Sequence, residues 1–249
     1  ASVWPLIALA TIGRPLAIVG AIEVPNELIA NTPVVLGEKD VLKTLQMMPG
    51  VQGGNEGFSG IYVRGGGADE NLMLLDGTSL YNVSHLFGLL SVFTPEAVKK
   101  VTVYKGSFPA RYGGRVSSVV DVRTNDGNSK KISGSVTAGF LAEKFHLEGP
   151  LKNENTTFSL SARGMHTFLF DRVIKWAGSP LNYAFYDVNA KVSHKFSDRS
   201  RGWIGLYSGR DYFRYEDKSK SSKRFYGSDY EPYTMITGNE NNLNLSWGN

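Results

Sequence analysis

Hydrophobic residues follow two different spacings along the chain, and the change falls near residue 130. Before it, short segments with helical spacing alternate with short apolar runs. In residues 38–48 the apolar side chains lie three or four positions apart, and Pro49 and Gly50 end the segment, which predicts a helix. This alternation of short helices and strands predicts a compact α+β domain over residues 37–127.

Four short apolar runs in the same region predict strands, because turn-forming residues bound each of them. They span residues 60–64, 71–75, 101–105 and 116–123. Thr94 followed by Pro95 predicts the start of a further short helix. Residues 1–36 are apolar and differ in pattern from the rest of the chain, so they form an unassigned N-terminal segment, in which residues 16–24 are a candidate strand.

Polar and apolar residues alternate with a period of two in residues 128–249, as expected of strands with two different faces. In the clearest case, the apolar residues from Ala184 to Phe196 alternate with Asp187, Asn189 and Lys191. About six strands of this kind are visible, and their length is near the roughly 9–11 residues with which a tilted strand crosses a bilayer.

Connections between these strands alternate in length. Residues 151–155 and 197–200 are short and polar, whereas residues 165–182 and 214–239 are long. Outer-membrane barrels have short periplasmic turns and long extracellular loops, so the alternation favours antiparallel transmembrane strands. The strands of a soluble β protein also alternate, and such a protein stays an open alternative on this pattern alone.

Composition narrows the choice of protein class. The chain has 41% hydrophobic and 20% charged residues, which argues against disorder, and no cysteine, which excludes disulfide scaffolds and thiolate zinc sites. The formal net charge of +4 is scattered along the chain, so we predict no nucleic-acid partner. No apolar run has the roughly 18–20 residues of a membrane helix, and a membrane-spanning form would have to be a barrel.

Patterns for catalysis and metal binding are weak. The glycines at residues 65–67 are not followed by the Lys-Ser/Thr pair of a P-loop. The histidines His85, His146, His166 and His194 lack metal-ligand spacing. We therefore predict no catalytic residues, no metal site and no cofactor, and we expect that the chain is not an enzyme.

A series of short motifs occurs in order through the first domain. The motifs are Val41–Gln46 and residues 49–51, 62–66, 71–77, 101–106, 108–115 and 118–122. In order and spacing they resemble the plug domain of TonB-dependent outer-membrane receptors, and residues 131–213 look like the first barrel strands of that family. The residues of these motifs resemble those of the Bacteroidetes branch, but they depart from the motifs of the subfamily that imports glycans.

This resemblance implies a bacterial outer-membrane transporter with its plug inside a barrel of about 22 strands, of which the chain would hold a part. A ligand, still unidentified, would bind from outside, and the inner-membrane protein TonB would pull on the N-terminal side to rearrange the plug. Outer-membrane lipids are expected partners, and a surface lipoprotein is an optional one. A plugged barrel without transport, working as a subunit of a surface receptor, export or assembly complex, stays the alternative.

Two groups of residues are functional candidates under this resemblance. The first holds turns of the plug and charged plug side chains expected to pair with the barrel: Arg64, Gly65, Glu70, Asp76, Gly77, Arg111 and Arg115. The second holds polar and aromatic residues of two plug loops, 52–59 and 81–87, expected to face the ligand: Gln52, Asn55, Glu56, Phe58, Tyr81, Asn82, His85 and Phe87.

Overall fold

A computed structural model describes the chain over residues 21–32, 34, 38–54, 60–139, 141–165, 172, 176, 181–216 and 233–248. The predicted loop residues Asn55, Glu56 and Phe58 lie outside the described residues, as do His166 and most of the two long connections.

The N-terminal domain, here called the plug, is built on a five-stranded sheet with the order β1-β8-β9-β4-β5. Its strands are β1 (Ala21–Val24), β4 (Asn71–Leu75), β5 (Thr78–Ser79), β8 (Val98–Lys105) and β9 (Ser118–Thr124). Two small antiparallel pairs complete its strands: β2 (Val51–Gly53) with β3 (Ile61–Val63), and β6 (Ser84–His85) with β7 (Leu90–Ser91). The helices are α1 (Asn26–Ala30), α2 (Val41–Gln46) and three 3-10 turns, Ala68–Glu70, Leu86–Gly88 and Pro95–Ala97.

Helix α2 is shorter than the segment 38–48 that its apolar spacing predicted. Asp40 is its N-cap and accepts a hydrogen bond from the backbone N–H of Lys43 at 3.0 Å, which fixes the start of the helix. Its buried face, with Leu42 and Leu45, packs in one core with the β8 and β9 side chains. Glu38 precedes the cap, so the helix does not fix the direction of its side chain.

The plug begins earlier than the predicted boundary at residue 37. Strand β1 pairs antiparallel with β8, Val24 facing Val101, and Val24 is buried in the plug core. The end of the unassigned segment 1–36 therefore belongs to the plug sheet. Residues 21–24 agree with the end of the candidate strand 16–24, but four residues at a sheet edge are too few for a clear period, so the sequence did not assign them to the plug.

The C-terminal part, here called the wall, is one antiparallel sheet in which six strands follow each other in chain order, as the period-two pattern predicted. The strands are β10 (Ser133–Ala138), β11 (Ala142–Pro150), β12 (Thr156–Met165), β13 (Leu181–Ser197), β14 (Ser200–Glu216) and β15 (Tyr233–Gly248). Connections 151–155 and 198–199 lie at one end of the wall, here called the short-turn end. The opposite strand ends, at Met165, Leu181, Glu216 and Tyr233, are here called the long-loop end.

The wall faces the plug with its polar side. On β12, the side chains of Thr157, Ser159, Ser161 and Arg163 are buried. Apolar side chains such as Leu206 point the other way and are exposed. This is the reverse of a soluble sandwich, and it fits a barrel that encloses a polar plug and turns its apolar face to lipid.

Among the helices within the described ranges, none is both long and apolar enough to span a membrane.

Candidate functional site at the interface between plug and wall

Buried charged side chains concentrate where the plug meets the wall. Since an unpaired buried charge is costly, each of them must find a partner across the interface or beside it. They form three clusters, of which the first two lie side by side, since Lys144 pairs in register with Arg163 and Arg163 with Asp187, while the third lies nearer the short-turn end. The clusters are centred on His85, on Lys144 and on Asp76.

The first cluster holds the plug residue His85 between two wall carboxylates. Its Nε2 lies 2.8 Å from Oδ1 of Asp187 on β13, and its Nδ1 lies 2.8 Å from Oδ2 of Asp211 on β14. The ring is buried and stacks on Phe185, with 4.5 Å between ring centroids and 17° between planes. Both ring nitrogens can donate to carboxylates only when the imidazole is protonated.

Asp187 is the best-connected group of this cluster. It accepts hydrogen bonds from Nε and Nη2 of Arg163 at 2.9 and 2.6 Å and from the Tyr207 hydroxyl at 2.9 Å. Arg163 also donates to the carbonyl oxygen of Ser91 at 2.7 Å, so the guanidinium joins wall and plug directly. With His85 protonated, the two cations and two carboxylates of the cluster balance.

The plug segment after His85 is held in an unusual backbone conformation. Leu86 and Phe87 have φ of 52° and 56°, in the left-handed region that bulky residues rarely adopt. The N–H of Leu86 donates to the Tyr183 hydroxyl at 2.6 Å, and that hydroxyl donates to Asp211. The wall therefore stabilises a strained turn that leaves the Phe87 side chain exposed.

Two opposing effects act on the pKa of His85. Burial of the ring lowers it, but the hydrogen bonds to Asp187 and then to Asp211 raise it by more, so that the pKa lies above the usual value for histidine. The geometry and the direction of this shift both favour the imidazolium form of His85.

The second cluster is centred on Lys144 of β11. Its ammonium lies 2.5 Å from Oε2 of Glu38 and 3.4 Å from Oε1 of Glu96, both on the plug. Lys144 and Glu38 are both buried, so each stabilises the other's charge in a site that water hardly reaches.

The third cluster joins the plug turn at Asp76 to the wall. Asp76 has a φ of 49° and Gly77 one of 91°, and the Asp76 carboxylate accepts a hydrogen bond from the N–H of Thr124 at 3.1 Å. Its Oδ1 lies 3.2 Å from the ammonium of Lys191 on β13, and both side chains are buried. The predicted turn residue therefore also reaches across to the wall.

Asp126 extends this cluster into the linker between plug and wall. Its carboxylate lies 3.0 Å from Lys191 and 2.5 Å from Lys99 of the plug. Burial raises the pKa of Asp126, but Lys191 and Lys99 lower it by more, so the pKa lies below its usual value. The next residue, Gly127, has a φ of 93°, and a Cβ there would overlap the backbone of Phe158. The linker thus passes directly against the wall.

The other charged candidates make their described contacts within the plug. Glu70 accepts from the N–H of Gly67 at 3.0 Å, Arg111 donates to the Tyr112 hydroxyl at 2.8 Å, and Arg115 donates to a neighbouring carbonyl oxygen.

Arg64 and Gly65, two further candidates, form a turn in which both residues have a positive φ, of 50° and 82°. Gln52 lies on β2, and its side chain is exposed.

The wall partners of the plug were not predicted as site residues. Arg163, Asp187 and Lys191 lie on polar positions of the alternating pattern, where the sequence predicts only an inward direction. The available signal was their charge, because ionisable residues in a barrel strand need a partner inside the barrel. Which plug residue each of them meets depends on strand register and domain packing, and neither can be read from spacing.

Space between plug and wall is unevenly distributed. In the region of Asp76, Thr124 and Lys191 the cavity measures about 20 Å³, enough for a single water molecule. At the short-turn end, a cleft of about 380 Å³ opens between Asp126 of the plug linker and Arg201 and Trp203 of the wall. Among the described residues, no group of three or more His, Asp or Glu side chains is arranged to hold a metal ion.

A small α+β domain buries its charges against the polar face of antiparallel strands, which is the arrangement expected of a plug inside a barrel. Residues 22–120 match the family described as TonB-dependent Receptor Plug Domain. Residues 22–120 therefore form a plug domain of the kind found in TonB-dependent receptors, and an antiparallel sheet follows it. The Bacteroidetes branch and the number of about 22 strands stay predictions.

Solved structures of receptors and transporters share this fold. They include the siderophore receptor PirA from Acinetobacter baumannii, with a TM-score of 0.53, 19% identity and coverage of 78% of this chain and 32% of that one. The outer membrane transporter YddB from Escherichia coli has a TM-score of 0.55, 15% identity and coverage of 80% and 34%. The FrpB iron transporter from Neisseria meningitidis has a TM-score of 0.50, 20% identity and coverage of 86% of this chain and 37% of that one.

The chain spans about a third of the length of the solved structures that it matches. No curated protein matches it in sequence. At this level of identity the structural matches describe the fold alone.

Proposed function

We propose that the chain belongs to a bacterial outer-membrane transporter in which the plug gates the energised uptake of a ligand. The observation that supports this most directly is the packing of plug against wall. Three clusters of buried charges join them, and in the region of Asp76 the space between them holds about one water molecule. A solute could pass along this wall only if the plug moved.

Ligand contact is proposed for the plug surface at the long-loop end. Tyr81 is 83% exposed and Phe87 59% exposed. The Phe87 ring lies 5.5 Å from that of Tyr183, whose hydroxyl donates to the partly buried carboxylate of Asp211. Asn82, within hydrogen-bonding reach of Asp211, belongs to the same surface. Exposed aromatic side chains on a rigidly held turn can contact a ligand at little cost in conformational entropy. Gln52, Asn55, Glu56 and Phe58 are proposed for the second loop.

TonB is the proposed energy-transducing partner, acting from the periplasmic side on a part of the chain that precedes the plug sheet. The similar structures are described as siderophore receptors, an iron transporter and an outer membrane transporter. Ferric siderophores are therefore the first ligands to test. A surface lipoprotein stays an optional partner.

Uptake of radiolabelled ferric siderophores by cells with and without the gene tests the transporter. We expect uptake to fall to background on deletion of the gene, and equally on deletion of TonB. The control is Lys100→Ala, which removes an exposed plug cation from its 3.2 Å pair with Glu23 and should leave uptake unchanged. Normal uptake of a broad ligand panel after deletion, together with loss of other surface proteins, would instead favour the assembly subunit.

A further inference from the structure

His85 is the one described plug side chain whose two ring nitrogens both contact carboxylates of the wall. It also directly precedes the left-handed turn at Leu86 and Phe87. A single side chain therefore joins the exposed end of the plug to two adjacent wall strands. Its state of protonation decides how many of these contacts can form.

A neutral imidazole has one N–H and one lone pair. If His85 lost a proton, one of its nitrogens would face a carboxylate oxygen at 2.8 Å with no hydrogen between them. The cluster would also change from balanced charge to an excess negative charge in a buried site. Both effects are unfavourable, so the contact to one carboxylate must break.

Asp211 is the contact that can open. Its side chain is 17% exposed, whereas Asp187 is fully buried and is also held by Arg163 and Tyr207. Asp211 accepts the Tyr183 hydrogen bond as well, and Tyr183 in turn fixes the N–H of Leu86. Loss of the Asp211 contact would therefore release the hydroxyl that stabilises the strained turn.

We propose that His85 acts as a proton-operated pin: as an imidazolium it fastens plug residues 81–88 to the wall, and on losing the Nδ1 proton to water beside Asp211 it lets this loop move. The proposal gives a regulatory task to the ligand-facing loop and in that respect rests on the proposed function. The pin itself can be measured without transport. The raised pKa of His85 agrees with a closed pin at neutral pH.

Several ionisable groups surround His85. They are Arg163 from β12, Asp187 and Tyr183 from β13, and Tyr207 and Asp211 from β14, with Asp40 of the plug close to Arg163. A pH-dependent change in loop mobility is therefore assigned to the imidazole only if it is absent from the His85→Gln variant.

The test is a spin label on the intact receptor in detergent, attached at Tyr81→Cys. The 249 residues hold no cysteine of their own, so within them the label attaches only at residue 81, and any cysteine elsewhere in the receptor is first replaced by serine. Tyr81 is 83% exposed, so the label does not disturb packing. We expect an immobile label at about pH 6 and a one-proton increase in mobility with a midpoint above about pH 6.5. His85→Gln should give a mobile label at every pH.

Two further variants keep the test decisive if His85→Gln folds poorly. Asp211→Asn should lower the midpoint by about one pH unit, because it removes one of the two charges that favour the imidazolium. His194→Gln is the matched control, since His194 lies at the short-turn end and bonds to Thr156 at 2.8 Å. It should keep the parent titration.

A label with the same mobility from pH 5.5 to pH 9 in the parent would overturn the pin. An unchanged midpoint in a folded Asp211→Asn variant would do the same. The two proposals can fail separately. If the parent takes up no siderophore but shows the expected pH midpoint, the transport proposal fails and the pin stands. If the parent takes up siderophore but its label has the same mobility at every pH, the pin fails and the transport proposal stands.

Discussion

At the scale of single residues, Asp76 illustrates how one side chain meets two demands. Its left-handed backbone is one that Asp and Asn tolerate better than most residues. Its carboxylate caps the N–H of Thr124 and pairs with Lys191 across the interface. The turn pair with Gly77 made the backbone role predictable from sequence, whereas the partner on the wall was beyond prediction.

Asp76→Asn separates these two roles, because asparagine keeps the turn and loses the charge. We expect the free energy of unfolding to fall by about 1–3 kcal/mol, since Lys191 keeps Asp126 as a partner but loses a buried one. Urea unfolding in detergent measures the change. Glu23→Gln, in the exposed pair with Lys100, should cost less than about 1 kcal/mol. Equal effects of the two variants would contradict the role given to Asp76.

At the scale of the elements, strand direction and side-chain orientation followed from the sequence more completely than helix bounds. A period of two assigns each wall residue to a face, and the buried Ser159 and exposed Leu206 agree with it. Helix α2 begins later than predicted because Asp40 is its N-cap. Strand β1 falls within the candidate strand 16–24, but its place in the plug sheet was not predicted, because its pairing with β8 joins residues about 80 positions apart, which local spacing cannot report.

Leu206→Lys tests which side of the wall meets lipid. A lysine near the middle of a membrane-spanning strand costs about 2–4 kcal/mol on the lipid face. The matched control is Leu151→Lys, because both leucines are exposed, by 45% and 56%, and Leu151 lies in the short connection 151–155. We expect unfolding from lipid vesicles to show the loss for Leu206 alone. A neutral effect of both changes would favour the soluble β protein.

At the scale of the whole molecule, the plug is held to the wall near both ends by charged groups. One of these groups loses its charge as the pH rises, and the other loses its charge as the pH falls. His85, with its raised pKa, loses its charge as the pH rises. Asp126 has a lowered pKa, so its stabilising charge is present above the ordinary carboxyl pKa and is lost as the pH falls through the lowered value. Plug and wall are therefore held together most firmly at intermediate pH, and each end can be released separately.

Asp126→Asn should release the short-turn end at neutral pH without affecting the pin at His85. We expect amide hydrogen exchange of residues 125–132, corrected for intrinsic rates, to rise about tenfold, because Lys191 and Lys99 lose the carboxylate that joins them to the linker. The parent should approach the variant only below about pH 4. Asp198→Asn, at a residue that is 93% exposed in its pair with Lys195, is the control and should leave the linker unchanged. Parent-like exchange in the Asp126 variant at pH 7 would mean that Gly127 and the backbone fit of the linker, rather than the ion pairs, hold this end of the plug.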